Sequence, residues 1–238
     1  MVILVVKRRL AAVFGVCLVL GGLLVSARWV SAVPAFSAAV TPPMVLVIDP
    51  GHGGEDGGAV SADQSVTESR INLEIALCVR DLMAFLGQPT VMTRTEDRAI
   101  YSSQARTLRE KKVSDLKNRV TMVNELDNAV LLSIHQNSLP SSPVTHGAQV
   151  FWNAGDGAEA WGTMVQDLLN QAVNVGNEKQ GRRISDSIYL MKQVQSPAVL
   201  VECGFLSNAA ETEQLKDPAY QTKLAAAIAA GVLNSDKR

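Results

Sequence analysis

The chain has 238 residues, 47% of them hydrophobic, enough for one sizeable core and a terminal extension. Its 22 Lys and Arg against 23 Asp and Glu leave a formal charge of −1, so there is no cationic surplus for a phosphate backbone, and nucleic acid is excluded as an expected partner. Three cysteines are too few for a disulfide framework, and Cys78 and Cys203 read as small buried hydrophobes and not as a bonded pair.

Lys7, Arg8 and Arg9 precede an apolar run from Leu10 to Val25, and small residues follow at Ser26, Ala27, Ser31 and Ala32. This order of charge, apolar core and small residues reads as a signal peptide or membrane anchor over residues 1–32, with the rest of the chain exported. Residues 33–43, with three prolines and small side chains, read as a linker, and the folded domain is expected over 44–238.

In chain order, Val45 to Asp49 is an aliphatic strand that stops at Pro50-Gly51. Thr67 to Leu86 has helical spacing, with Thr67 as N-cap and Gly87 as stop. Pro89 to Thr93 reads as a strand, Glu96 to Lys112 as a polar surface loop, and Ser114 to Leu126 as a helix opened by Ser114 or Asp115. Strands are expected at Ala129 to Ile134, Gly147 to Trp152 and Ala198 to Val201, and helices at Ala158 to Val173 and Glu211 to Leu233. The alternation predicts an α/β three-layer sandwich, with a mostly parallel central sheet and helices on both faces. Ligand sites in such sheets lie beyond the carboxyl ends of the strands.

The chemistry-bearing residues gather at those ends. Of three histidines, His52 in IDPGHGG and His135 in LLSIHQNS stand immediately after predicted strands. Either one alone reads equally well as a structural histidine, but two at one sheet edge suggest a shared site. Glu68 opens the first long helix, where a single acid would ordinarily answer the helix dipole. Two imidazoles and one carboxylate also make a catalytic zinc set with one coordination position left open. Glu202, in AVLVECGFLSN, faces away from Val201 and Cys203, so the alternation of a strand turns it towards the same crevice. His146 reads as structural, and Glu55 and Asp56 as backbone-bonding acids of a glycine-rich turn. Arg94 and Asn137 are weaker candidates for holding substrate.

Four blocks, IDPGHGGEDGGAV, ESRINLEIA, SIHQNS and VECGFLSN, occur in the order and spacing found in the zinc N-acetylmuramoyl-L-alanine amidases of the bacterial cell wall, which the chain resembles from Met44 to Leu233. The resemblance implies one zinc ion held by His52, Glu68 and His135, with Glu202 as catalytic glutamate. It further implies a peptidoglycan substrate and a cell-wall or membrane-associated location. KKVSDLKNRV, IHQNSLPSS and ISDSIYLMK resemble more narrowly the germination-specific spore cortex amidases, in which stem-peptide removal precedes formation of muramic-δ-lactam. Some division-associated relatives carry an inhibitory helix after the second histidine. Here only QNSLPSSPVTH separates His135 from Gly147, so control is expected through expression, location or a protein activator, whose identity the sequence leaves open. The alternatives are another extracytoplasmic zinc peptidase or deacetylase, or a non-catalytic wall-binding protein that would have no need of Glu202.

Overall fold

A computed structural model describes residues 44–235; the signal or anchor expected over 1–32 and the linker over 33–43 lie outside the described residues. The sheet has six strands in the order β2-β1-β3-β6-β4-β5. They are β1 (Val45–Pro50), β2 (Thr90–Met92), β3 (Ala129–Asn137), β4 (Gln149–Trp152), β5 (Arg182–Arg183) and β6 (Ala198–Phe205). All adjacent pairs are parallel except β4 with β6.

Alternation along the strands builds two cores. Leu46, Ile48, Leu132, Ile134, Val199, Val201 and Cys203 turn to one face and are buried under α1 (Glu68–Phe85), α3 (Ala158–Ala172), α5 (Ala209–Lys216) and α6 (Pro218–Ser235). Val47, Leu131 and Leu200 turn to the other face, under α2 (Leu108–Asn124) and the short α4 (Tyr189–Gln193). The three-layer expectation therefore holds, and the parity that buries these aliphatics also decides which polar side chains share a face.

Helix α1 buries Ile71, Ile75, Val79 and Met83, an i, i+4 stripe. Thr67 occupies its N-cap position but makes no side-chain capping bond. The C-terminus closes where Gly87, at φ +76, lets its N–H reach Ala84 O and that of Gln88 reach Met83 O, a Schellman closure.

Three expectations need correction. Helix α2 starts at Leu108 and not at Ser114, because Thr107 and Glu110 form a capping box, so the end of the supposed Glu96–Lys112 loop is helical. The C-terminal helix is two helices. Pro218 disfavours helical backbone at Asp217, which sits at ψ 119, and the chain restarts in a new direction. Strand β5 and helix α4 were not foreseen, since two and five residues are too short to show periodicity. Cys78 and Cys203 are both free, as read from the sequence. No helix among the described residues is long and apolar enough to cross a membrane.

Candidate active site

At the carboxyl end of the sheet, β1, β3 and β6 turn Asp49, Ser133, His135 and Glu202 to the face covered by α2 and α4. Register pairs Asp49 with Ser133 and His135 with Glu202. His135 and Glu202 sit within the strands, which run a few residues longer than their aliphatic cores. A register irregularity between His135 and Asn137 lets β3 end beside the site.

Glu68, at the first position of α1, reaches back between the two imidazoles. Its Oε1 lies 3.2 Å from His52 Nε2 and 2.9 Å from His135 Nδ1, and the rings meet edge-on with centroids 5.1 Å apart. The candidate ligand atoms of the three residues lie within 4.8 Å of one another. The carboxylate is further held by the backbone N–H of Gln136 and Ala59 and by Asn72 Nδ2. Burial alone would raise the Glu68 pKa, but hydrogen bonds from His135 and His52 outweigh it and hold the group ionised.

His52 is tethered from its other side: Nδ1 lies 3.1 Å from Asp56 Oδ1, and Lys112 approaches Asp56 at 3.2 Å. A carboxylate on Nδ1 fixes the tautomer that leaves Nε2 as a metal donor. In the metal-free protein burial pulls the His52 pKa down, yet the bonds to Asp56 and Glu68 prevail and raise it to about 9.

Two glycines make room for the candidate ligands. A Cβ on Gly51 would fall 2.2 Å from His135 Cε1, and one on Gly58, at φ +69, would fall 2.5 Å from Glu68 Oε2. Gly51→Ala is therefore expected to displace the His135 ring and to weaken zinc binding roughly 10- to 100-fold, the range for losing groups that orient metal ligands. Competition with a chromogenic chelator measures it, and unchanged affinity would show that the ring has room elsewhere.

Glu202 faces this group across a crevice of about 410 Å³ lined also by Lys112, Leu116, Ile188 and Tyr189. Its Oε2 is sealed from solvent and has no hydrogen-bond partner. Burial pushes its pKa up to about 7; the charge of His135 opposes the rise, that of Glu68 adds to it, and that of His52 opposes it. A buried carboxylate oxygen without a partner, beside two imidazoles and an acid, fits a site completed by a cation, and the donor set of two nitrogens and an oxygen fits zinc.

The geometry matches a family. The sequence pattern described as Amidase_3, N-acetylmuramoyl-L-alanine amidase, matches residues 46–234. The chain belongs to this amidase family. It is 34% identical over 189 residues to a germination-specific N-acetylmuramoyl-L-alanine amidase of Bacillus subtilis, covering 79% of this chain and 78% of the relative. The CwlD amidase of Clostridioides difficile, solved in complex with the GerS lipoprotein, superposes with a TM-score of 0.78 at 34% identity, over 82% of this chain and 98% of that one. The catalytic domain of CwlV, an amidase of Bacillus (Paenibacillus) polymyxa var. colistinus, superposes with a TM-score of 0.69 at 29% identity, over 82% and 98%. The reaction of the family is hydrolysis of the amide between N-acetylmuramic acid and L-alanine in peptidoglycan.

Other candidates are placed elsewhere. Arg94 is 2% exposed and donates to the carbonyls of Pro50, Gly51, Ser69 and Glu96, which leaves no side chain to offer substrate. Asn137 accepts from the N–H of Ser138 through Oδ1 and through its carbonyl from Leu206. His146 is exposed, its Nδ1 3.0 Å from Val144 O. Glu55 bonds Lys111 and Tyr101, not a metal ligand. Sequence reading missed Asp49, Asn72, Asp115, Arg119 and Gln136, buried polar residues that support the ligands.

Proposed function

We propose that the chain is an exported zinc amidase in which His52, Glu68 and His135 hold one zinc ion and Glu202 moves the proton. The observation that carries this reading is the buried, unpartnered Oε2 of Glu202, in the crevice that also holds the three converging candidate ligand atoms. Zinc at that position supplies Lewis-acid polarisation of the scissile carbonyl and lowers the pKa of water towards neutrality. Glu202, free of competing hydrogen bonds, accepts the proton of the attacking water and delivers it to the departing alanine nitrogen. Asp56 keeps His52 in the tautomer that ligates, and Asn72, Ala59 and Gln136 keep Glu68 from swinging out of the site.

The N-terminal order of Lys7 to Arg9, apolar run and small residues supports export, with the folded domain tethered or released outside the cytoplasm. Similarity to germination-specific amidase and to CwlD supports action on spore cortex peptidoglycan, and the GerS complex of CwlD supports a lipoprotein partner.

Zinc titration against pH tests the metal reading. The metal-free His52 titrates at about 9, so at neutral pH a proton must leave before its imidazole can ligate. Apparent zinc affinity should rise about tenfold per pH unit from 7.5 to 8.5, above the Glu202 titration, with close to one proton released per zinc, and calorimetry in buffers of different ionisation enthalpy reads both. Zinc affinity independent of pH across that window would contradict the assignment of His52.

A further inference from the structure

Three consecutive carbonyls at the end of β1, those of Pro50, Gly51 and His52, turn inward onto two buried guanidinium groups. Arg94 donates from Nε to Pro50 O at 2.9 Å and from Nη2 to Gly51 O at 3.0 Å. Arg119 donates from Nη1 to the same Pro50 O at 2.9 Å and from Nη2 to His52 O at 2.7 Å. Its other donors are also used: Nε reaches Asp115 Oδ2 at 2.7 Å, Nη1 reaches Asp49 Oδ1 at 2.6 Å, and Nη2 reaches Asp115 Oδ1 at 3.3 Å. Five N–H groups meet five acceptor contacts, so Arg119 lines the crevice without a donor left for substrate.

Two neighbouring buried cations are a poor way to stabilise a fold, since well-packed apolar residues serve as well. What a planar fork supplies instead is orientation. The loop they grip holds His52 at φ 61, a left-handed backbone that a residue other than glycine rarely adopts unless its surroundings impose it. With the carbonyls of 50 to 52 drawn inward, the His52 ring is left directed at Glu68.

We propose that Arg94 and Arg119 are positioning residues of the metal site, whose joint grip on the Pro50, Gly51 and His52 carbonyls imposes the backbone that aims His52 Nε2 at Glu68. The proposal rests on the metal reading above, and its test separates the two. Arg119→Lys keeps a cation beside Asp49 but cannot span two carbonyls. The chain has three histidines, so ¹⁵N-labelled imidazoles give a spectrum in which exposed His146 serves as internal control. In the full-length metal-free protein the substitution should shift the His52 signals and leave His146 unmoved, and zinc affinity should fall roughly 10- to 100-fold. A lowered melting temperature with unchanged His52 signals and unchanged zinc affinity would mean that Arg119 only stabilises the fold, and would overturn the proposal. If Arg119→Lys does not fold, Asp115→Asn loosens the guanidinium while sparing the Asp49 pair, and the same two readouts decide. If the wild-type protein binds no zinc, the metal reading fails, while the His52 signals of the metal-free variants still decide the clamp.

Discussion

Glu202→Gln is expected to lower kcat on peptidoglycan by roughly 10²- to 10⁴-fold, the contribution typical of a positioned proton carrier, and to leave zinc binding intact. The substitution keeps the size of the side chain and removes only its ability to take and return a proton. Because Glu202 is not among the three converging ligand atoms, zinc stoichiometry should match the wild type. Stability should hold or improve at neutral pH, and the sign follows from linkage. The folded carboxyl titrates at about 7 against an ordinary 4.5, so its contribution is fully present below 4.5 and is lost as pH rises through 7. A neutral amide has no such loss. Steady-state release of soluble peptides, read with zinc content and a melting curve, measures all three. A Glu202→Gln protein of wild-type activity would move the proton transfer to another group.

Glu68→Gln is expected to have the opposite signature: loss of zinc, and of activity with it. The carboxylate lies 3.2 Å from His52 and 2.9 Å from His135, and both nitrogens lose a charged partner when it becomes an amide. Loss of groups that merely orient ligands costs 10- to 100-fold in metal affinity, so loss of a ligating charge should exceed about 100-fold. In the metal-free protein the pKa of His52 should fall, because the Glu68 charge and hydrogen bond help to raise it to about 9. NMR titration of the imidazoles checks this independently of zinc. Retained zinc at wild-type affinity would exclude Glu68 from the ligand set.

The residues proposed to carry the chemistry can be picked out in the sequence because their surroundings are local. His52, His135 and Glu202 each follow an aliphatic strand run, and Glu68 begins a periodic helix, so the local pattern brings them to one end of the sheet without knowledge of the whole fold. Their support was not legible for the opposite reason. Arg119 meets Asp49 across 70 residues and Arg94 meets Pro50 across 44, and although Asp115 stands at i, i+4 spacing from Arg119, nothing near either arginine in sequence marks these distant partners. Arg94 reads in the sequence as a weak candidate for holding substrate, whereas its donors go to the carbonyls of Pro50, Gly51, Ser69 and Glu96. The start of α2 differs in kind: Thr107 and Glu110 carried a capping-box spacing, but it was overshadowed by the charged run that follows. The break at Pro218 was likewise written in the sequence and was outweighed by the alanine-rich helical pattern on its C-terminal side.

The most direct measurement is product analysis: the full-length chain acting on purified peptidoglycan, with zinc and then with chelator, followed by mass spectrometry of the soluble fraction. Free stem peptides beginning with L-alanine, lost under chelation, restored by zinc and absent for Glu202→Gln, are the predicted result. Soluble fragments that keep muramic acid joined to alanine, or peptides released equally well under chelation, would contradict the account.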